Sequence, residues 1–124
     1  MCQNRRVNSG QFSQGIVLFN RADFFASHEA LEDVWREAPE TDRRFLQALI
    51  QTAVALHHHS RGNLIGARSL LARAQRNLAD YPKEFGGLEL DPLRQSIADW
   101  QKALDEGTDL PPLPVLRWSI TGGY

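Results

Sequence analysis

The sequence is poor in the features that most often declare a function. Its 124 residues include one cysteine, Cys2. No intrachain disulfide and no cysteine-based zinc site can therefore form. Neither sign of charge is in excess: 14 Lys and Arg stand against 15 Asp and Glu, for a net charge of −1. A dedicated nucleic-acid binder usually carries a strong basic excess, so no nucleic-acid partner is expected. Long apolar runs are missing as well. The longest, from Phe45 to Leu56, is interrupted by Gln47 and Gln51, whereas a membrane span takes about 20 apolar residues. No membrane partner is expected, and that run reads as a buried helix. No phosphate loop, dinucleotide fingerprint or nucleophile elbow is present. The stretch Met1–Gly10 is polar, with Arg5 and Arg6 and no apolar core behind them. It does not read as a secretory signal, and the cytoplasm is the expected compartment.

What is there is helical spacing. Apolar residues make up 42% and charged residues 23%, close to an ordinary globular domain. Strand signals are scarce, and five helical segments are predicted. The first spans about 13–20, with Phe12, Ile16 and Phe19 on one face. The second spans about 23–38, capped by Asp23 and stopped by Pro39. Phe24, Ser27, His28, Leu31, Val34, Trp35 and Ala38 share its face, with Glu32 on the shoulder and Glu29 further round. Glu32 and Arg36 are spaced for an i,i+4 ion pair.

The third helix spans about 42–61, with Thr41 as its cap and Gly62 as its stop. It is apolar over most of its circumference and belongs at the centre of a bundle. The fourth spans about 63–81 and ends at Pro82; a flexible turn at Gly86-Gly87 follows. The fifth begins at Asp91-Pro92, a cap and a proline at the first helical position, and closes at Gly107. Very short turns at Arg21-Ala22 and Gly62-Asn63 make antiparallel neighbours. The expected fold is all-α: a compact bundle of about five helices, from two antiparallel pairs plus a C-terminal helix and an extended tail. It is a single domain over 1–124, with its core at about 12–106 and tails at 1–11 and 107–124. In the second tail Val115, Leu116, Trp118 and Ile120 are positioned to pack on the bundle or on a second copy.

One feature is out of place. Gln47, Gln51 and His58, at i, i+4 and i+11, fall within about 40° of one another at about 100° per residue. They draw a polar strip along the otherwise apolar third helix. A buried polar group without a partner costs about 1–3 kcal/mol. The expected partners lie on the second helix: His28 and Glu32 meeting Gln47, Gln51 and His58, with Trp35 and Phe24 as walls. Such a network either fixes helix register or lines a pocket. In the pocket reading Glu32 is the base or ligand, His28 its partner, and the glutamines orient the substrate. No metal and no cofactor are expected, because neither a second Glu-x-x-His nor a His-x-x-x-His pair accompanies His28-Glu29-x-x-Glu32. His57, His58 and His59 point in directions about 100° apart, so at most two could serve one site.

The run Leu18–Arg36, with its Phe19-Asn20 turn followed by His28-Glu29-x-x-Glu32-x-x-Trp35, resembles the domain of unknown function 309 family. Phe45-Leu46-Gln47-Ala48-Leu49-Ile50-Gln51, a histidine at 57 or 58 and the Gly62-Asn63 turn are similar to its second motif. Gly87–Asp91 is similar to its Gly-hydrophobic-Asp segment. The resemblance covers about 12–105. It implies a small all-helical protein, mostly bacterial, without an established activity, and carries over His28, Glu29, Glu32, Trp35, Gln47, Gln51 and His58 as motif residues. The expected function is a non-catalytic interaction or structural module, acting as a homodimer or with an unknown protein. The alternative is a ligand-binding protein or hydrolase-like enzyme with a small-molecule partner.

Overall fold

Chain reversals set the architecture. A computed structural model describes the backbone of residues 2–119 and the side chains from residue 10 onward. Within them run α1 (Cys2–Asn20), α2 (Phe24–Arg36), α3 (Glu40–Ser60), α4 (Leu64–Leu78) and α5 (Leu90–Glu106). The first four follow one another through turns too short for anything but antiparallel packing. α1 packs on α2, α2 on α3, α3 on α4 and α4 on α5. The fold is thus the all-α bundle that the hydrophobic spacing predicts. No helix of the described residues is long and apolar enough to cross a membrane.

α3 is central because it has few faces that tolerate water. Phe45, Leu46, Ala48, Leu49, Thr52, Ala53, Ala55 and Leu56 are all buried. Thr52 satisfies its hydroxyl by donating to the Ala48 carbonyl one turn back, at 2.8 Å. α2 contributes Phe24, Ser27, Leu31 and Val34 to the interior. Ser27 is fully buried and donates to the Gly15 carbonyl of α1 at 2.8 Å. α1 comes that close because residue 15 lacks a side chain: a Cβ there would stand 2.7 Å from Leu31 Cδ2, well inside van der Waals contact.

Several ends differ from the spacing-based expectation. α1 extends far toward the N-terminus of the segment read from apolar residues alone, through residues expected as a tail. Asp23 occupies the N-cap of α2 but makes no side-chain capping bond. α3 starts behind Pro39 rather than Thr41, because proline both fixes its own φ and needs no donor there. α5 begins two residues early, at Leu90, so Asp91 lies in its first turn instead of capping it. Asn63 does cap α4, accepting from Gly66 N at 3.0 Å, and Gly62 and Gly107 take the left-handed conformation of helix stops.

The turn expected at Gly86-Gly87 is a hairpin. β1 (Glu84–Phe85) pairs antiparallel with β2 (Leu88–Glu89), and β3 (Arg117–Trp118) pairs with the other edge of β2. Gly86 and Gly87 both have positive φ, as a two-residue hairpin turn requires. A Cβ on Gly86 would come 2.7 Å from the Phe45 ring. The tail therefore packs back on the bundle through Leu116 and β3; Ile120, also expected there, lies outside the described residues, as does the side chain of Cys2.

Candidate functional site

His28 sits at the rim of the buried face of α2, with its side chain 17% exposed. Its Nδ1 lies 2.7 Å from the Phe25 carbonyl oxygen. A carbonyl can only accept, so Nδ1 carries the hydrogen and Nε2 is left for other partners. Nε2 faces Glu32 Oε1 at 3.9 Å, beyond hydrogen-bond length. Glu32 is 42% exposed and has Arg36 Nη2 at 4.0 Å, while the close partner of Arg36 is Asp33, at 2.5 Å. The expected Glu32–Arg36 pair is thus loose and shared. Glu29 is exposed.

The helix-three histidine that approaches this rim is His57. Phe25, 53% exposed, lies 4.9 Å from the His28 ring and 5.3 Å from the His57 ring. His58 turns toward α4, where Asn63 Nδ2 donates to its Nδ1 at 3.4 Å. The His59 ring stands edge-on to Trp100 of α5 at 5.1 Å. Three consecutive histidines thus address three different helices, as steps of about 100° dictate.

The glutamines correct the expected network. Gln51 Oε1 accepts from Asn77 Nδ2 of α4 at 2.9 Å, and Gln47 is exposed. Arg44, exposed, reaches Asn77, Asp80 and the Arg76 carbonyl, all on the α4 side. Arg44, Gln51 and His58 recur every seven residues, about two helical turns. They form a seam along α3 that bonds to α4, not to α2. Of the expected strip, Gln51 and His58 meet α4 rather than α2, and Gln47 stays exposed. Phe24 is not a pocket wall either: it packs edge-on against Phe19 at 5.2 Å.

Trp35 lies at the far end of α2. The Arg43 guanidinium stacks over its ring at 4.4 Å and donates to the Trp35 and Arg36 carbonyls at 3.3 Å each. Arg43 therefore closes the C-terminal end of α2, where free carbonyls favour a cation. The Trp35 Nε1 and Arg43 Nε atoms are buried without a hydrogen-bond partner.

The structure thus brings together His28, Glu32, Phe25 and His57, and leaves Gln47, Gln51 and His58 elsewhere. Among the described residues no three His, Cys, Asp or Glu side chains are placed to hold a metal ion. Ser27, next to His28, is buried and bonded to α1, so it is no nucleophile. Asn77 was not among the expected residues, and Asn20 was expected only as part of the Phe19-Asn20 turn. Asn77 had a signal: it stands fourteen residues after Asn63, twice the seven-residue repeat of its partners on α3.

The sequence model of the Domain of unknown function (DUF309) matches residues 12–70, from α1 into α4. Over this segment the chain is similar to the DUF309 family. Its similar proteins include the "Uncharacterized protein YpuF" of Bacillus subtilis (strain 168), 43% identical over 70 residues, covering 56% of this chain and 40% of that protein. Another is an "Uncharacterized protein" of Aquifex aeolicus (strain VF5), 31% identical over 82 residues, covering 65% of this chain and 25% of that one. The chain thus spans less than half the length of the relatives it matches.

Proposed function

We propose that this chain is a non-catalytic helical interaction module of the bacterial cytoplasm, and that its first partner is a second copy of itself. One observation carries the reading: the polar stripe of α3 bonds to α4, through Gln51–Asn77 and His58–Asn63. A catalytic cleft needs several polar groups converging on one enclosed place. Here they are distributed among contacts that hold helices together. The apolar groups left exposed, Phe25, Leu113, Val115 and Trp118 among them, suit protein contact. Sedimentation velocity over about a hundredfold range of concentration tests it, since a self-associating chain shifts toward dimer by mass action. A strict monomer throughout overturns the homodimer.

A second reading rests on His28. With Nδ1–H held by the Phe25 carbonyl, Nε2 is presented as a base beside Glu32. That pair supports a small-molecule site on the α2–α3 rim. In that case His28→Ala abolishes ligand binding while the helical signal survives; a module of the first kind loses only contact strength.

A further inference from the structure

The segment after α5 is held like a captured peptide. Asn20, at the last residue of α1, presents a carboxamide to Leu116 and uses both ends of it. Its Nδ2 donates to the Leu116 carbonyl at 2.9 Å, and its Oδ1 accepts from Leu116 N at 2.7 Å. That is the pairing a neighbouring strand would give, supplied by one side chain. Trp100 Nε1 of α5 donates to the Pro112 carbonyl at 2.9 Å. β2 completes the clamp by pairing Leu88 with Trp118 and Glu89 with Arg117, and Ser119 N donates to the Gly87 carbonyl at 2.7 Å. Leu116 and Pro114 are buried, whereas Leu113, Val115 and Trp118 remain about half exposed. These are the elements of extended-peptide recognition: main-chain hydrogen bonds for affinity, and pockets for alternate side chains for specificity.

The link to the bundle is slender. Gly107 turns the chain out at φ 67. From Thr108 to Leu113 nearly all residues are exposed, and Pro111, Pro112 and Pro114 have no N–H to surrender. Proline also keeps such a segment extended and stiff. Beneath the tail an open groove of about 310 Å³ remains between Pro111–Val115 and Gln95, Ser96 and Asp99 of α5. The link of Asp109–Pro111 makes none of the hydrogen bonds that fasten the tail, which begin at the Pro112 carbonyl, so it can serve as a hinge.

We infer that the groove formed by Asn20, Trp100 and β2 is a peptide-binding site, and that a second copy's tail, residues 112–119, is its occupant in trans. Each bond made within one chain is remade between two, so exchange of the segment needs no new chemistry and yields a symmetric dimer. The inference rests on the self-association proposed above and adds the segment that mediates it.

Complementation tests it on full chains. Leu116→Ser spoils the tail and leaves the groove; Asn20→Ala spoils the groove and leaves the tail. Each variant alone is expected as monomer, with its far-UV helical signal retained. Mixed, the intact tail of one fits the intact groove of the other, and heterodimer exceeds either homodimer by about tenfold or more, since one sound contact holds the pair. A mixture that stays monomeric while the unaltered chain dimerises overturns the tail as mediator and leaves self-association standing; a monomeric unaltered chain overturns both. Should a variant lose its helical signal, a labelled peptide of residues 108–119 replaces it. That peptide is expected to bind the Leu116→Ser chain more tightly than its own Leu116→Ser counterpart does, and equal binding overturns the inference.

Discussion

The two interfaces of α3 are built differently. Toward α2 it presents a closed apolar surface, where Leu31 and Val34 of α2 join the same buried core as Leu49, Ala53 and Leu56. The polar atoms of that side collect at its rims, His28 with Phe25 at one end and Arg43 with Trp35 at the other. Toward α4 it carries a heptad seam of Arg44, Gln51 and His58, each bonded to an amide, a carboxylate or a carbonyl. The first interface holds by burial, which is strong and indifferent to register. The second adds directional bonds, which are weak individually but admit one alignment of the two helices. A polar stripe on a central helix therefore marks a register device toward one neighbour, and its presence says nothing about the other.

Substitutions on the two sides should separate these roles. Leu31→Ala, at a fully buried position, is expected to lose about 2–5 kcal/mol, read as a lower denaturant midpoint at unchanged slope. Adding Gly15→Ala should restore part of that loss, because the new methyl fills space vacated by Leu31 Cδ2, which stands 2.7 Å from it in the unaltered packing. Simple additivity of the two losses would contradict the close approach of α1. On the other side, Gln51→Ala should cost about 0.5–1.5 kcal/mol, and Asn77→Ala about the same. The double variant should cost clearly less than the two together, since either single change already breaks the bond; independent losses would mean that the amides act separately. Glu32→Gln should move stability by no more than about 0.5 kcal/mol. A larger loss there than at Gln51 would return the polar lock to the α2–α3 side.

Much of this was readable in advance. Five helices, the central place of α3, the glycine stops and the shared face of Gln51 and His58 all follow from periods and caps. The neighbour of that face did not. A helical wheel gives the angle between side chains but not which packed helix occupies that angle, and α3 has a helix on two sides. The choice between His57 and His58 was open for the same reason. The strands escaped because each is two residues long, too short for an alternation to register. Their partner β3 arrives from far along the chain.

The order of apolar and polar residues was sufficient to decide that this protein is a bundle, since each amphipathic helix has to bury its stripe and the turns leave room for antiparallel neighbours alone. Local patterns could not decide where Asn20, Asn77 and the tail would meet their partners. Those contacts join residues 96 apart in the case of Asn20 and Leu116, and hydrogen bonding over such a separation depends on how whole helices are stacked, which no window of sequence contains.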